Sequence, residues 1–293
     1  MEPLIDIALA ASRRKRAAAG FDPANGFLLD LAAEELALRL SAMERHFDRG
    51  VELFGADGGV GRQCLATGRI GALEHVEIAD RFAPDIQVES YEDVPLEPLS
   101  TNIVLAPLYM HLVNDLPGCL IRIRRALKPD GLLLAAIPGA GTLQELGEVL
   151  IETDMALNGG MSPRVMPFAD IRSVGSLLQR AGFALPVVDV ETYTVRYGSL
   201  FSLMRDLRAF GMTNMLIDRS RRPLDRRFFM EAARIYQDRF GDPDGKIRAT
   251  FSMIYVCGWA PHESQQKPLK PGSAKMRLAD ALKAAIDDNK PAE

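Results

Sequence analysis

Several residue classes are scarce in this chain, and each scarcity removes a class of function. Its 293 residues contain only three cysteines, Cys64, Cys119 and Cys257. They lie far apart, without the Cys-x-x-Cys or Cys/His spacing of a metal site, so they read as reduced, mostly buried thiols of a cytoplasmic protein. No metal is expected. Neither sign of charge dominates: 35 Lys and Arg stand against 39 Asp and Glu, a formal net charge of −4. That balance gives no footing for nonspecific nucleic-acid binding. No apolar run approaches the roughly 20 residues that span a bilayer, and no membrane span is expected. Glu2 and Asp6 precede any apolar core, unlike a secretory signal, so the chain reads as mature protein. What is plentiful is ordinary globular material, 47% hydrophobic and 25% charged residues. It suits a sizeable core in one domain, or in one domain with a helical insert.

Residues 4–19 predict a short helix bearing the run Arg13-Arg14-Lys15-Arg16, either a solvated basic face or a partner-binding one. Leu28, Leu29, Leu31, Leu36, Leu38 and Leu40 recur near helical period, with Glu34, Glu35 and Arg39 between them. That is an amphipathic helix laid on a sheet. Short apolar runs at 51–55, 76–80, 102–108 and 132–138 predict strands; 62–67, 116–127 and 142–157 predict helices between or after them. Strands alternating with helices imply a parallel sheet covered on both faces. Asp130-Gly131 is the expected turn into the strand at 132–138, and Gly182 the C-terminal cap of a helix over 174–181. Two more strands, 187–196 and 251–259, flank helices at 200–210 and 224–240 that Gly211 and Gly241 stop. The expected organisation is N-terminal helices over 1–45, an α/β domain over 46–262 with a helical insert at about 198–246, and an extended, partly disordered tail over 263–293.

In an open α/β sheet a ligand binds outside the carboxyl ends of the strands. The first such loop is Gly55-Ala56-Asp57-Gly58-Gly59-Val60-Gly61. Its glycines let a ligand approach the backbone, and the following helix N-terminus offers N–H groups to an anion; a plain strand-to-helix turn is the alternative. Asp80 ends the second predicted strand about twenty residues on, placed to accept two ribose hydroxyls or to cap a helix. His111 suits a general base or a half-buried structural histidine. Asn114 and Asp115 precede a helix from Leu116 with Pro117 in its first turn, as caps would. Arg164, on a loop expected to cross above the site, is an anion-binding side chain or a solvated one. Arg219, Arg221, Arg222, Arg226 and Arg227, relieved by Asp218 and Asp225, fit a self-paired face or a dock for an acidic protein or phosphorylated carrier. His262 serves as a fold-locking hydrogen-bond donor, in catalysis or in partner contact.

Four strings carry a resemblance: Asn114-Asp115-Leu116-Pro117, Leu127-Lys128-Pro129-Asp130-Gly131, Gly159-Gly160-Met161-Ser162-Pro163-Arg164, and Trp259-Ala260-Pro261-His262 running on through Lys267-Pro268 to Pro271-Gly272-Ser273-Ala274. Over roughly residues 3–274 the chain resembles the methyltransferase-like assembly factors of respiratory complex I and their bacterial relatives. More distantly it is similar to the methyltransferases that act on acyl-carrier-protein thioesters in biotin synthesis. The resemblance implies an α/β fold, the Rossmann-like seven-stranded class I methyltransferase sheet, mostly parallel with the last strand antiparallel, plus a helical insert. It implies S-adenosyl-L-methionine held by Gly55, Ala56, Asp57, Gly59, Asp80, Arg81, Ser90, Glu92 and Ala106, with a protein or carrier-bound acceptor. Complex I assembly, with the mitochondrial member regarded as an arginine hydroxylase, and a non-catalytic scaffold are the other roles it admits. Three positions depart from the family pattern. The acid two places before the first loop glycine is Leu53 here, with Glu52 one residue off and, by strand alternation, on the opposite face. Asp57 replaces the middle glycine. Ser90 or Tyr91 stands where an acid holds the adenine amine, with Glu92 and Asp93 as the nearby substitutes.

Overall fold

The computed structural model describes residues 2–22 and 26–266; the tail string from Lys267 onward lies outside the described residues. Asp6 caps the first helix, α1 (Ile7–Ala19), by accepting from the Leu9 N–H at 3.1 Å. The second, α2 (Phe27–Ser41), buries Leu28, Ala32, Ala33, Leu36, Ala37 and Leu40 along one stripe. Leu38, counted in that stripe from the sequence, instead faces solvent.

Seven strands follow, β1 (Phe47–Leu53), β2 (Ile70–Glu77), β3 (Ile86–Gln87), β4 (Thr101–Pro107), β5 (Leu127–Pro138), β6 (Ala184–Tyr197) and β7 (Ile247–Trp259). They form one sheet in the order β3-β2-β1-β4-β5-β7-β6. The first five pair in parallel, and β7 runs antiparallel to both its neighbours. This is the predicted sheet. Side chains alternate between two apolar layers, with Val104 and Ala106 of β4 in one, Ile103 and Leu105 in the other. The first layer takes α1, α4 (Leu116–Ala126) and α6 (Ile171–Arg180) through Ala10, Leu120 and Leu178. The second takes α2, α3 (Gly59–Ala66), α5 (Gln144–Asn158), α7 (Leu200–Ala209) and α8 (Arg226–Phe240) through Leu36, Val60, Val149, Leu203 and Ile235. The insert is α7, a loop and α8, joining β6 to β7.

Asp130-Gly131 does not precede a strand; it lies inside β5, with Asp130 at φ +63° where the register with β4 shifts between Thr101 and Ile103. Arg45 pairs with the Asp130 carboxylate there. Residues Met1–Pro261 form one compact unit that includes α1 and α2, and His262 opens a second. Within the second, the His262 ring makes a local contact with the Ser264 hydroxyl at 2.6 Å. No helix of the described residues is long and apolar enough to cross a membrane. The strand order reverses between β1 and β4, so the ligand crevice of this architecture lies over the carboxyl ends of those two strands.

Candidate functional site

Glu52 forms the floor of the loop after β1. It is buried, and Oε1 accepts from the Gly61 N–H at 2.9 Å. A methyl group added at Gly61 would meet Glu52 Oε2 at 2.5 Å. That glycine therefore makes room for a carboxyl of the chain itself. The expected vacancy at Leu53 is corrected accordingly: Leu53 packs in the opposite apolar layer, and Glu52 is the acid under the loop. Counting two places from Glu52 sets the first glycine place at Phe54 and the next two at Ala56 and Gly58. All three have left-handed φ, +60°, +58° and +76°. The backbone of a glycine loop is retained with two side chains on it, at about 1–2 kcal/mol each of strain. Burial, opposed by the bond from Gly61, pushes the Glu52 carboxyl up to about 8. Asp57 turns away to Arg62 at 2.6 Å and accepts from the Gly59 N–H at 3.2 Å.

At the tip of β2 the structure replaces the predicted acid. Asp80 and Arg81 lie past the strand in a one-turn 3-10 helix, exposed, with the Asp80 carboxylate on the Arg81 N–H at 2.8 Å. The strand ends at Glu77, which is fully buried. Arg14 of α1 grips it, Nε donating to Oε1 at 3.1 Å and Nη2 to Oε2 at 2.5 Å. Nη2 also donates to the Phe54 carbonyl at 3.0 Å, and the Ile78 N–H donates to Oε1 at 2.7 Å. Sequence reasoning passed over Glu77 because Ile78 and Ala79 extend the apolar run and carry the apparent strand end to Asp80.

Over β1 and β4 the crevice is filled. The Phe54 ring lies against Tyr91 and Tyr109, with centroids 4.9 and 4.5 Å away. The cavity that remains, lined by Arg14, Phe54, Tyr91, Leu108, Tyr109 and Met215 among others, has a volume of about 30 Å³. Sites for drug-sized ligands run to roughly 300–1,000 Å³. S-adenosylmethionine, the cofactor this fold implies, does not fit these residues as they stand. The other predicted contacts brace the chain. The Ser90 hydroxyl accepts from the Glu92 N–H at 3.0 Å, Glu92 accepts from the Asn114 N–H at 2.7 Å, and Ala106 is buried within β4.

His111 has a buried Nδ1 without a partner, and burial pushes its ring down to about 3. Such a ring accepts a proton too weakly for general-base work near neutral pH. Asp115 caps α4 through the Gly118 N–H at 2.9 Å, but Asn114 holds the N-terminal segment, accepting from the Leu4 and Ile5 N–H groups at 2.8 Å each. Arg164 is no free anion site, since it clasps Asp154 through two bonds of 2.6 and 2.7 Å. Arg219 is tied to Asp6 at 3.1 Å. Arg221, Arg222, Arg226 and Arg227 are exposed and enter none of the ion pairs among the described residues. Among those residues no group of three or more His, Cys, Asp or Glu is gathered so that it could hold a metal ion.

Comparison with known proteins places this geometry. The methyltransferase domain family matches residues 66–135, a stretch that begins beyond the altered loop. The human protein named arginine-hydroxylase NDUFAF5, mitochondrial, is 32% identical over 263 residues, covering 87% of this chain and 76% of its own length. The chain belongs to the NDUFAF5 family. The Dictyostelium discoideum protein of that name is 42% identical over 198 residues, 67% of this chain. The chain spans 45% of that relative and 60% of the Danio rerio one. A malonyl-[acyl-carrier protein] O-methyltransferase of Xylella fastidiosa is 33% identical over 168 residues, 57% of this chain and 55% of the relative. A solved methyltransferase-like structure from Bacillus halodurans, 12% identical, superposes with a TM-score of 0.52 over 78% of this chain and 99% of its own, which shows the shared fold. This NDUFAF5-family chain thus keeps the methyltransferase sheet, while its own side chains fill the crevice above it.

Proposed function

We propose that this chain is an assembly protein of the NDUFAF5 kind, acting in the cytoplasm on a protein subunit of respiratory complex I. The observation that carries this reading is the extent of the likeness to the human relative, 263 residues, far beyond the methyltransferase match at 66–135. Exposed Arg221, Arg222, Arg226 and Arg227 supply the docking chemistry, since planar guanidinium groups suit an acidic protein face. Buried, unpaired Cys64, Cys119 and Cys257 suit a reducing compartment. The arginine modification named for the relatives belongs to this reading. Deleting the gene is expected to lower NADH:quinone oxidoreductase activity. The wild-type gene restores it, and a variant with glutamate at the four exposed arginines, melting at the wild-type temperature, does not. Normal complex I activity in the deletion strain contradicts the proposal.

Methyl transfer from S-adenosyl-L-methionine to a protein or carrier-bound acceptor is the second reading. It is favoured by the methyltransferase domain match and by the retained Glu52 and Glu77 at the ends of β1 and β2. It requires the crevice to open. Purified protein that moves a labelled methyl group from S-adenosylmethionine to lysate components supports it, and the absence of transfer counts against it.

A further inference from the structure

We propose that this chain occupies its own nucleoside site: Arg14 on Glu77 and the Phe54 ring against Tyr91 and Tyr109 together exclude S-adenosylmethionine. The inference concerns the crevice alone and does not depend on which protein the chain acts on.

Two features, linked by the Arg14 bond to the Phe54 carbonyl, fill the site. The first is covalent to β1. Phe54 stands at a left-handed position where the loop geometry calls for glycine, and its ring enters the place over β1 and β4 that an open α/β sheet offers to a ligand. The second is a strap. An acid at the tip of β2 is the natural acceptor for ribose hydroxyls in such folds. Here both oxygens of Glu77 are bonded, to Arg14 and to the Ile78 N–H, and Arg14 also closes over the Phe54 carbonyl. A neutral diol would have to displace a buried, charge-assisted fork.

The strap is fastened along its length. The Leu4 and Ile5 N–H groups bond Asn114, the Asp6 N–H donates to the Met215 carbonyl at 2.9 Å, Arg13 donates to the Asn214 carbonyl at 2.6 Å, and Lys15 pairs with Glu89 at 2.9 Å. By contrast the apolar side chains α1 fully buries are small, Ala10, Ala11 and Ala18, with Ile7 partly buried beside them. A helix held mainly by polar clasps, with little apolar area in the first layer, lifts more readily than a helix with large buried side chains, so α1 acts as a closure over the crevice.

The test is calorimetric titration of S-adenosylhomocysteine into the full chain, as wild type, Phe54→Gly, Arg14→Gln and the double variant. Glycine suits φ +60°, so the loop backbone itself is not perturbed by the first change. The wild type is expected to show no saturable heat up to about millimolar ligand, and the double variant to bind at least about tenfold tighter. Adding Glu77→Ala to the double variant is expected to abolish the gain. Micromolar binding by the wild type overturns the proposal. So does a folded double variant that binds no better than wild type, or a gain indifferent to Glu77→Ala. Should the double variant fail to fold, hydrogen exchange on the wild type decides. Unchanged protection of α1 with ligand present upholds exclusion, and ligand-induced loss of protection there overturns it.

Discussion

Glu52 concentrates the physics of the site in one carboxyl. Its folded value, about 8, lies above the usual 4.5 of an unfolded glutamate because burial disfavours the charge. The folded chain therefore holds a proton that the unfolded chain releases between those values. The resulting stability is complete below about pH 4.5 and is lost as pH rises through about 8. Glu52→Gln keeps an acceptor for the Gly61 N–H without the charge. The variant is expected to gain on wild type by about 2–5 kcal/mol between pH 5 and pH 8, read as melting temperature against pH. His111, pushed down to about 3, has the opposite sign and loses stability as pH falls from about 6.5, so the difference between the two chains isolates Glu52. Ala56, at φ +58°, makes a second residue-scale prediction. Ala56→Gly is expected to stabilise by about 0.5–1 kcal/mol in denaturant melts, where glycine in an ordinary helix or strand destabilises. Both residues were named in sequence, Ala56 as an expected cofactor contact and Glu52 as an acid one place off and on the opposite face, but the roles they take were not legible. Glycines at 55, 58, 59 and 61 draw the motif one place late, because a left-handed phenylalanine leaves no compositional mark.

At the scale of elements, the loop that was expected to carry a free Arg164 above the site is pinned. Asp154 of α5 and Arg164 bury their side chains to 1% and 12% exposure, and the guanidinium lies over the Phe228 ring of α8 at 4.7 Å. Burial alone would raise the Asp154 carboxyl, but bonds from Arg164 and Asn158 hold it below its ordinary value. Asp154→Ala leaves a largely buried guanidinium unpaired and is expected to cost about 3–5 kcal/mol in chemical denaturation. A double-mutant cycle with Arg164→Ala recovers part of that loss. Sequence periodicity located the long elements well. Gly182 and Gly211 end their helices with φ of +83° and +73°, where only glycine is unstrained. It was silent on the two-residue β3, too short to show an alternation. It also began β1 late, because Asp48 and Arg49 are exposed at the strand's start. The partnership of α1 with Glu77, across sixty-three positions, has no local signature.

For the whole molecule, the sheet was legible because near-continuous apolar strands separated by helices admit few other arrangements. The state of the crevice was not, since it depends on three aromatic rings and one ion pair that converge only in the folded chain. The family frame and the occupied crevice describe one object, a methyltransferase sheet whose ligand edge is covered by α1 and whose insert exposes Arg221, Arg222, Arg226 and Arg227. A crystal structure of the wild type soaked with millimolar S-adenosylhomocysteine tests this most directly. The account predicts the Phe54 ring against Tyr91 and Tyr109, Arg14 on Glu77, and no nucleoside over β1 and β4. A bound adenosine there, with the ring displaced and its ribose on Glu77, would contradict it.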